Sequence, residues 1–298
     1  MALLWAAFLL PVAAIAIVFW LIATERVGYI PPFEELENPK SNLASQIIAS
    51  DGVLLGKYYK ENRTQINFSE LSPNVVNALL ATEDVRFYDH FGIDLTALFR
   101  VAKGLATGHT SSGGGSTISQ QLAKNLYNMR DHERPKGLFG KIVMKLQEWV
   151  TAVKLERRYT KDEIMMMYLN TVGFGHNAFG IESAAKIFFN KKSNDLKLEE
   201  AAVLVGLLKA PSKYSPRRAN NEKNSVGRRN TVLSQIEKYQ KDLHEKTGYK
   251  MLSHNQYDSL KQTKIKLDYS PETHAEGLAT YFREFVMEHP MDIKVFKL

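Results

Sequence analysis

The chain opens on an unbroken apolar run. From Ala2 to Ala23 (ALLWAAFLLPVAAIAIVFWLIA) there is no charged residue. A helix of that length rises roughly 33 Å, enough to cross a bilayer core of about 30 Å. Trp5, Phe19 and Trp20 sit toward its ends, where aromatic rings favour the interface, and Pro11 is tolerable in a membrane helix. A cleaved signal peptide would carry a shorter apolar run behind a basic region. Neither feature is present, so the run predicts an uncleaved transmembrane anchor. No Lys or Arg precedes it, and the positive-inside rule therefore says little about its orientation.

Beyond the anchor the pattern changes twice. Ser45–Tyr59 places Asp51-Gly52 between two apolar runs, the signature of a β-hairpin, and Gln65–Phe68 is a candidate third strand. A helical period then takes over. Ser72-Pro73 reads as an N-cap followed by proline at the first helical position, leading into VVNALLATED. Further helices are predicted over Ile142–Arg158, Lys161–Asn170, Ile181–Phe189, Leu198–Leu208 and Ser225–Lys238, with Lys213–Asn224 as a basic connector. No internal repeat is apparent. The expected organisation is an anchor over residues 1–24, a neck with short strands over 25–70, a mainly α-helical domain over 71–240 and a trailing segment over 241–298.

Composition narrows the chemistry. Hydrophobic residues make up 44% and charged residues 24% of the 298 positions, which is globular composition. The absence of cysteine excludes a disulfide scaffold, a thiolate zinc site and a cysteine nucleophile. A net charge of +7 and a pI near 9.3 point to anionic partners: nucleic acid, acidic lipid or a phosphorylated substrate.

Three clusters could carry chemistry. In ATEDVRFYDHFGID, Glu83 falls at the C-terminal end of the first helix, where the macrodipole disfavours a carboxylate and suits a group that exchanges protons. Were the helix to continue, Glu83, Phe87 and His90 would share one face; a solvated helix end with aromatic packing explains the same residues. In GGGSTISQQLAKN, glycines and a helix N-terminus make an anion cradle. Thr117 and Gln120 have capping-box spacing, while Thr117, Gln121 and Lys124 line one helical face. Gly114 stands where a Walker A loop needs lysine. In the helix near residue 150, Lys141, Lys145 and Glu148 fall on one face, with Val143, Leu146, Val150 and Val153 as the buried stripe. Ordinary helical ion pairing accounts for that face equally well. Between the last two clusters, Met129–Lys145 interleaves basic with apolar residues, Leu138 and Phe139 among them, as suits an anionic membrane interface or a surface loop.

In order, EDVRFYDHFGID, GGGSTISQQLAKN and KLQEWVTAVKLERRYTKDEIMMMYLN resemble the peptidoglycan glycosyltransferase domain of family 51, found in class A penicillin-binding proteins and monofunctional transglycosylases. The resemblance runs from about Ile47 to Ile236 and takes in LKLEEAAVLVGLLKAPSKYSP and GRRNTVLSQI. It implies a lysozyme-like two-lobed fold on a membrane anchor. It implies Glu83 as the acid/base that deprotonates an acceptor sugar's 4-hydroxyl, and Glu148 as the second glutamate. Asp84, Phe87 and His90 match the first motif, and Ser116, Thr117, Gln120, Gln121, Lys124 and Asn125 match the second. Lys145, with Lys141 a turn before it, matches the basic group preceding the second glutamate.

The implied partners are lipid II, the growing lipid-linked glycan, the membrane and a cell-wall synthesis complex, but not nucleic acid. A polyprenyl diphosphate leaving group suggests divalent metal assistance, Mg or Mn, with no ligand set identified. The implied location is the bacterial inner membrane, single-pass, with the catalytic domain on the extracytoplasmic side. A lysozyme-like lytic enzyme and a catalytically dead glycan-binding scaffold are the alternatives.

Two departures stand out. Family members often carry Arg four residues before the second glutamate; here that residue is Met144, and a lysine at 141 lacks the bidentate fork of arginine. Ser183-Ala-Ala-Lys186, Lys246-Thr247-Gly248 and Ser253-His-Asn255 mimic transpeptidase motifs but occur in the wrong order and too close together. No transpeptidase activity is expected from this chain, and residues 241–298 read as a linker toward such a domain.

Overall fold

The computed structural model describes residues 45–48, 54–58, 62–63, 65–108, 114–128 and 137–270, together with scattered positions between 5 and 26. Of the predicted anchor only Trp5, Leu9, Ala13, Ile17, Trp20, Leu21 and Thr24 are described, all but Thr24 helical, so the anchor as a span lies outside the described residues. Among the described residues no helix is long and apolar enough to cross a membrane. The Asp51-Gly52 turn, the Met129–Lys136 stretch, the side chains of Leu138 and Phe139 and residues 271–298 also lie outside.

The described residues are mainly helical, with two small sheets among them. Strands β1 (Ser45–Ile48) and β2 (Leu54–Tyr58) pair antiparallel, Ser45 opposite Tyr58, as the hairpin pattern predicts. The third strand is displaced. Gln65–Asn67 is irregular and Phe68–Glu70 is a 3-10 turn, whereas β3 (Asn62–Arg63) pairs parallel with β5 (Ala178–Phe179). Asn170 supplies the reason: its side chain bonds both the N–H and the C=O of Ile66, satisfying that backbone without a ladder. Strand β4 (Gly173–Gly175) pairs with β5 across His176 and Asn177. Both residues have positive φ, the geometry of a type I′ turn.

The site is built on helix α1 (Pro73–Glu83). Ser72 caps it by accepting from Asn74 N–H, Pro73 opens it, and Val75, Val76, Ala78, Leu79, Leu80 and Ala81 are all buried. Burial on every side makes it a central helix. It packs against α7 (Leu198–Leu207) and α9 (Glu222–Thr247). Helices α2 (Leu95–Ala106) and α3 (Ile118–Asn128) follow, α3 lying against α4 (Gly137–Arg158) and α5 (Lys161–Thr171). On α4, Val143, Leu146 and Val150 are buried as the pattern predicts, while Val153 is half-buried.

Helices α6 (Ile181–Phe189) and α8 (Pro211–Tyr214) complete the set that frames the core, and α10 (His254–Gln262) packs on α9. Helix α9 passes through residue 240 without a break. After α10 the chain returns to α6, where Asp268 and Ser270 N–H groups bond the carbonyls of Phe188 and Ile187. Residues 241–270 are thus packed on the domain.

Candidate active site

Helix α1 ends at Glu83 because Asp84 leaves helical geometry, with φ −160° and ψ 76°. The run Glu83, Phe87, His90 is therefore not a continuous helical face. The chain instead folds through a 3-10 turn at Phe87–Asp89 and carries three of the motif's residues inward. Phe87 is fully buried, packed edge-on against Tyr88 and His90 under the Lys161 ammonium. His90 Nε2 lies 3.1 Å from both oxygens of Asp84, and Gly92 N–H donates to its Nδ1, so Nε2 carries the proton. Asp84 also accepts from Ile118 N–H at 3.0 Å, setting a carboxylate on the α3 N-terminus. Asp84 and His90 thereby lock α1 to α3.

The second cluster is held from below. Thr117 is buried, and its hydroxyl donates to Gly92 O at 2.7 Å while accepting from Gln120 N–H. Gln120 departs from capping-box behaviour: its side chain donates to Gly92 O at 3.0 Å rather than turning back to Thr117. Gln121, one turn in, donates from Nε2 to Glu83 Oε2 at 2.9 Å and accepts from the Tyr168 hydroxyl at 3.0 Å. Lys124 is exposed, and Asn125 is half-buried with no partner for Nδ2 among the described residues.

The third cluster joins the second. Lys145 Nζ is 2.8 Å from Glu148 Oε2 and donates to Ser116 Oγ at 2.9 Å. Lys141 is exposed a turn earlier on α4, and Met144 is half-buried.

These elements enclose a cavity of about 220 Å³ lined by Thr82, Glu83 and Asp84 on one side and Gly114–Thr117 on the other. Its remaining wall brings Arg100 from α2 and Lys238 and Tyr239 from α9, a cationic contribution that the motifs do not announce. Arg228, also on α9, places a guanidinium nitrogen 3.8 Å from Glu83 Oε1. Gly206 opposite leaves room for it, since a Cβ there would stand 3.1 Å from Arg228 Cγ. The double arginine of GRRN is the only sequence signal for that contact, and Tyr168 has none. Asp94, at the same cavity, caps α2 and pairs with Arg86. Burial opposes its charge, but the Arg86 and Ala97 hydrogen bonds and the Arg86 charge outweigh it, holding its carboxyl below the usual range.

Among the described residues no group of three or more His, Asp or Glu side chains gathers to hold a metal. The carboxylates near the cavity are engaged otherwise: Asp84 by His90, Asp94 by Arg86 and Glu148 by Lys145. The described residues do not form a cage for a resident divalent ion.

A family model described as Transglycosylase matches residues 51–237. The chain belongs to the transglycosylase family. It is 35% identical over 245 residues to penicillin-binding protein 1A of Escherichia coli (strain K12), covering 82% of this chain and 26% of that protein. It is 36% identical over 233 residues to penicillin-binding protein 1A of Aquifex aeolicus (strain VF5), covering 76% and 31%. Penicillin-binding protein 1F of Bacillus subtilis (strain 168) is 38% identical over 193 residues, covering 65% and 26%. This transglycosylase-family chain thus spans about a quarter to a third of the length of those relatives.

Proposed function

We propose that this domain polymerises lipid II into β-1,4-linked glycan. Glu83 takes the proton of the acceptor sugar's 4-hydroxyl. The freed oxygen attacks the donor's anomeric carbon with inversion, the glycosidic bond forms, and the anomeric C–O bond to the polyprenyl diphosphate breaks. The observation that carries this reading is the position of Glu83 at the end of a rigid, buried helix, facing Gly114–Thr117 across one cavity with Lys145 behind Ser116. Rigid placement of a base against its substrate is worth several powers of ten in rate.

The cationic groups Arg100, Lys238 and Lys145 suit a diphosphate and favour this reading over a lytic, lysozyme-like one, which needs no such groups. Glu148, half-buried beside Lys145, acts as the second carboxylate and keeps that ammonium aimed at Ser116. The lysozyme-like two-lobed arrangement belongs to the same reading.

So does a membrane setting. Phe91, Leu95, Phe99 and Leu105 are 82%, 65%, 75% and 71% exposed, along and just before α2, whose Ala97 and Arg100 line the cavity. An exposed apolar face with Arg100 and Lys103 beside it suits an anionic lipid surface. The domain would then act on the extracytoplasmic side of the inner membrane, on lipid II and the growing chain, within a cell-wall synthesis complex. Incubating the detergent-solubilised protein with labelled lipid II and resolving glycans by gel tests the reading. Chain growth supports it. Shortening of preformed glycan supports the lytic alternative, and binding without turnover supports a scaffold.

A further inference from the structure

We infer that Tyr168 is a positioning residue for Glu83, acting through the side-chain amide of Gln121. This rests on the polymerase reading and deepens it, because it gives Gln121 a role at the base.

The chain of contacts is short and mostly buried. The Tyr168 hydroxyl, on α5, meets Gln121 Oε1 at 3.0 Å, and Gln121 Nε2 meets Glu83 Oε2 at 2.9 Å. Tyr168 is 1% exposed, and its ring is fixed in the core shared by α3 and α5. An ionised carboxylate only accepts hydrogen bonds, so it is paired only when the amide turns its NH₂ toward Glu83. The carbonyl end must then find a donor, and the tyrosine hydroxyl is that donor.

When Oε1 of Glu83 has taken the acceptor's proton, Oε2 is still an acceptor, so the Gln121 NH₂ keeps its hydrogen bond and the Tyr168 hydroxyl goes on donating to the amide oxygen. Tyr168 therefore holds the amide in one orientation in both states of the base. Tyr168 is not itself an acid here: burial and the nearby Glu83 charge push its hydroxyl far above the usual tyrosine range. Oε1 of Glu83 accepts no hydrogen bond among the described residues and faces the Arg228 guanidinium at 3.8 Å, leaving it for the sugar hydroxyl.

The test is a double-mutant cycle in the full chain, with kcat and KM measured for polymerisation of labelled lipid II and folding followed by thermal unfolding. Tyr168→Phe removes one oxygen and keeps the ring; it should lower kcat about tenfold, the worth of one hydrogen bond to a charge-bearing network, with KM unchanged. Gln121→Leu should lower kcat at least as far, again without raising KM. Tyr168→Phe added to Gln121→Leu should then cost nothing further. Full kcat in Tyr168→Phe, or losses that multiply in the double variant, would show that Tyr168 acts through packing alone and overturn the inference. Should Tyr168→Phe fail to fold, a Gln121→Leu variant with intact kcat and raised KM overturns it equally. An inactive wild type would remove the polymerase reading itself, and the inference with it, before any variant is made.

Discussion

The ammonium of Lys145 bridges Ser116 and Glu148, 2.9 Å from the Ser116 hydroxyl and 2.8 Å from the carboxylate. Ser116 is a wall of the cavity that holds Glu83, so Lys145 ties the second glutamate to that wall. Removing the glutamate's charge unties the lysine. Glu148→Gln is expected to lower polymerisation by at least tenfold with the fold intact, and Lys145→Met by a similar factor. Steady-state rates with circular dichroism check this; near-normal turnover in Glu148→Gln removes Glu148 from the mechanism.

Gly92 is the backbone knot beneath the site. Its carbonyl accepts from both Thr117 and Gln120, its φ is +85°, and a Cβ there would stand 2.9 Å from the Ala152 backbone. Gly92→Ala combines left-handed strain with overpacking against atoms that cannot move. We expect a loss of about 2–4 kcal/mol, read by chemical denaturation, and loss of activity with it. A change below about 0.5 kcal/mol would show that the α4 backbone gives way.

Asp94 makes acid stability partly predictable. Its folded-state pKa lies below the unfolded value of about 3.9, so its contribution is complete at neutral pH. As pH falls past the unfolded value the unfolded chain takes up the proton first, and the contribution is lost through the folded value. Asp94→Asn keeps a capping side chain but not the charge. It should be less stable than wild type by about 1 kcal/mol at pH 7, a modest figure because Arg86 is part-exposed. Thermal midpoints from pH 7 to 3 should converge. A gap that stays constant with pH would assign the effect to packing.

Much of this was legible in the residue pattern, and what was not has specific causes. Helix α6 runs from Ile181 to Phe189 as its period predicts, and Ser72-Pro73 starts α1 as its capping chemistry predicts. Those signals are local. The inward turn of Phe87 and His90 was not visible, because it depends on Asp84 finding Ile118 N–H thirty-four positions away. Arg228 and Tyr168 were missed for the same reason: α9 and α5 reach Glu83 only in three dimensions. Gln65–Phe68 has strand composition, yet Asn170 captured its backbone first. Helix α2 escaped notice because its large apolar residues face outward, against the usual rule of burial.

That outward face gives its own prediction. Leu95→Ser with Phe99→Ser should weaken binding to anionic lipid vesicles and leave thermal stability near wild type, since both residues are exposed. Vesicle co-sedimentation reads it. Unchanged partitioning in the double variant would mean that α2 does not meet lipid.

The proposed reaction turns on the Glu83 carboxylate withdrawing the acceptor proton. Glu83→Gln keeps the shape and the neighbours Gln121 and Arg228 but cannot accept that proton. Single-turnover polymerisation of labelled lipid II by wild type and Glu83→Gln, matched for folding by thermal midpoint, measures it most directly. The variant should bind substrate and elongate at least about 100-fold more slowly. Elongation within a few-fold of wild type would contradict it.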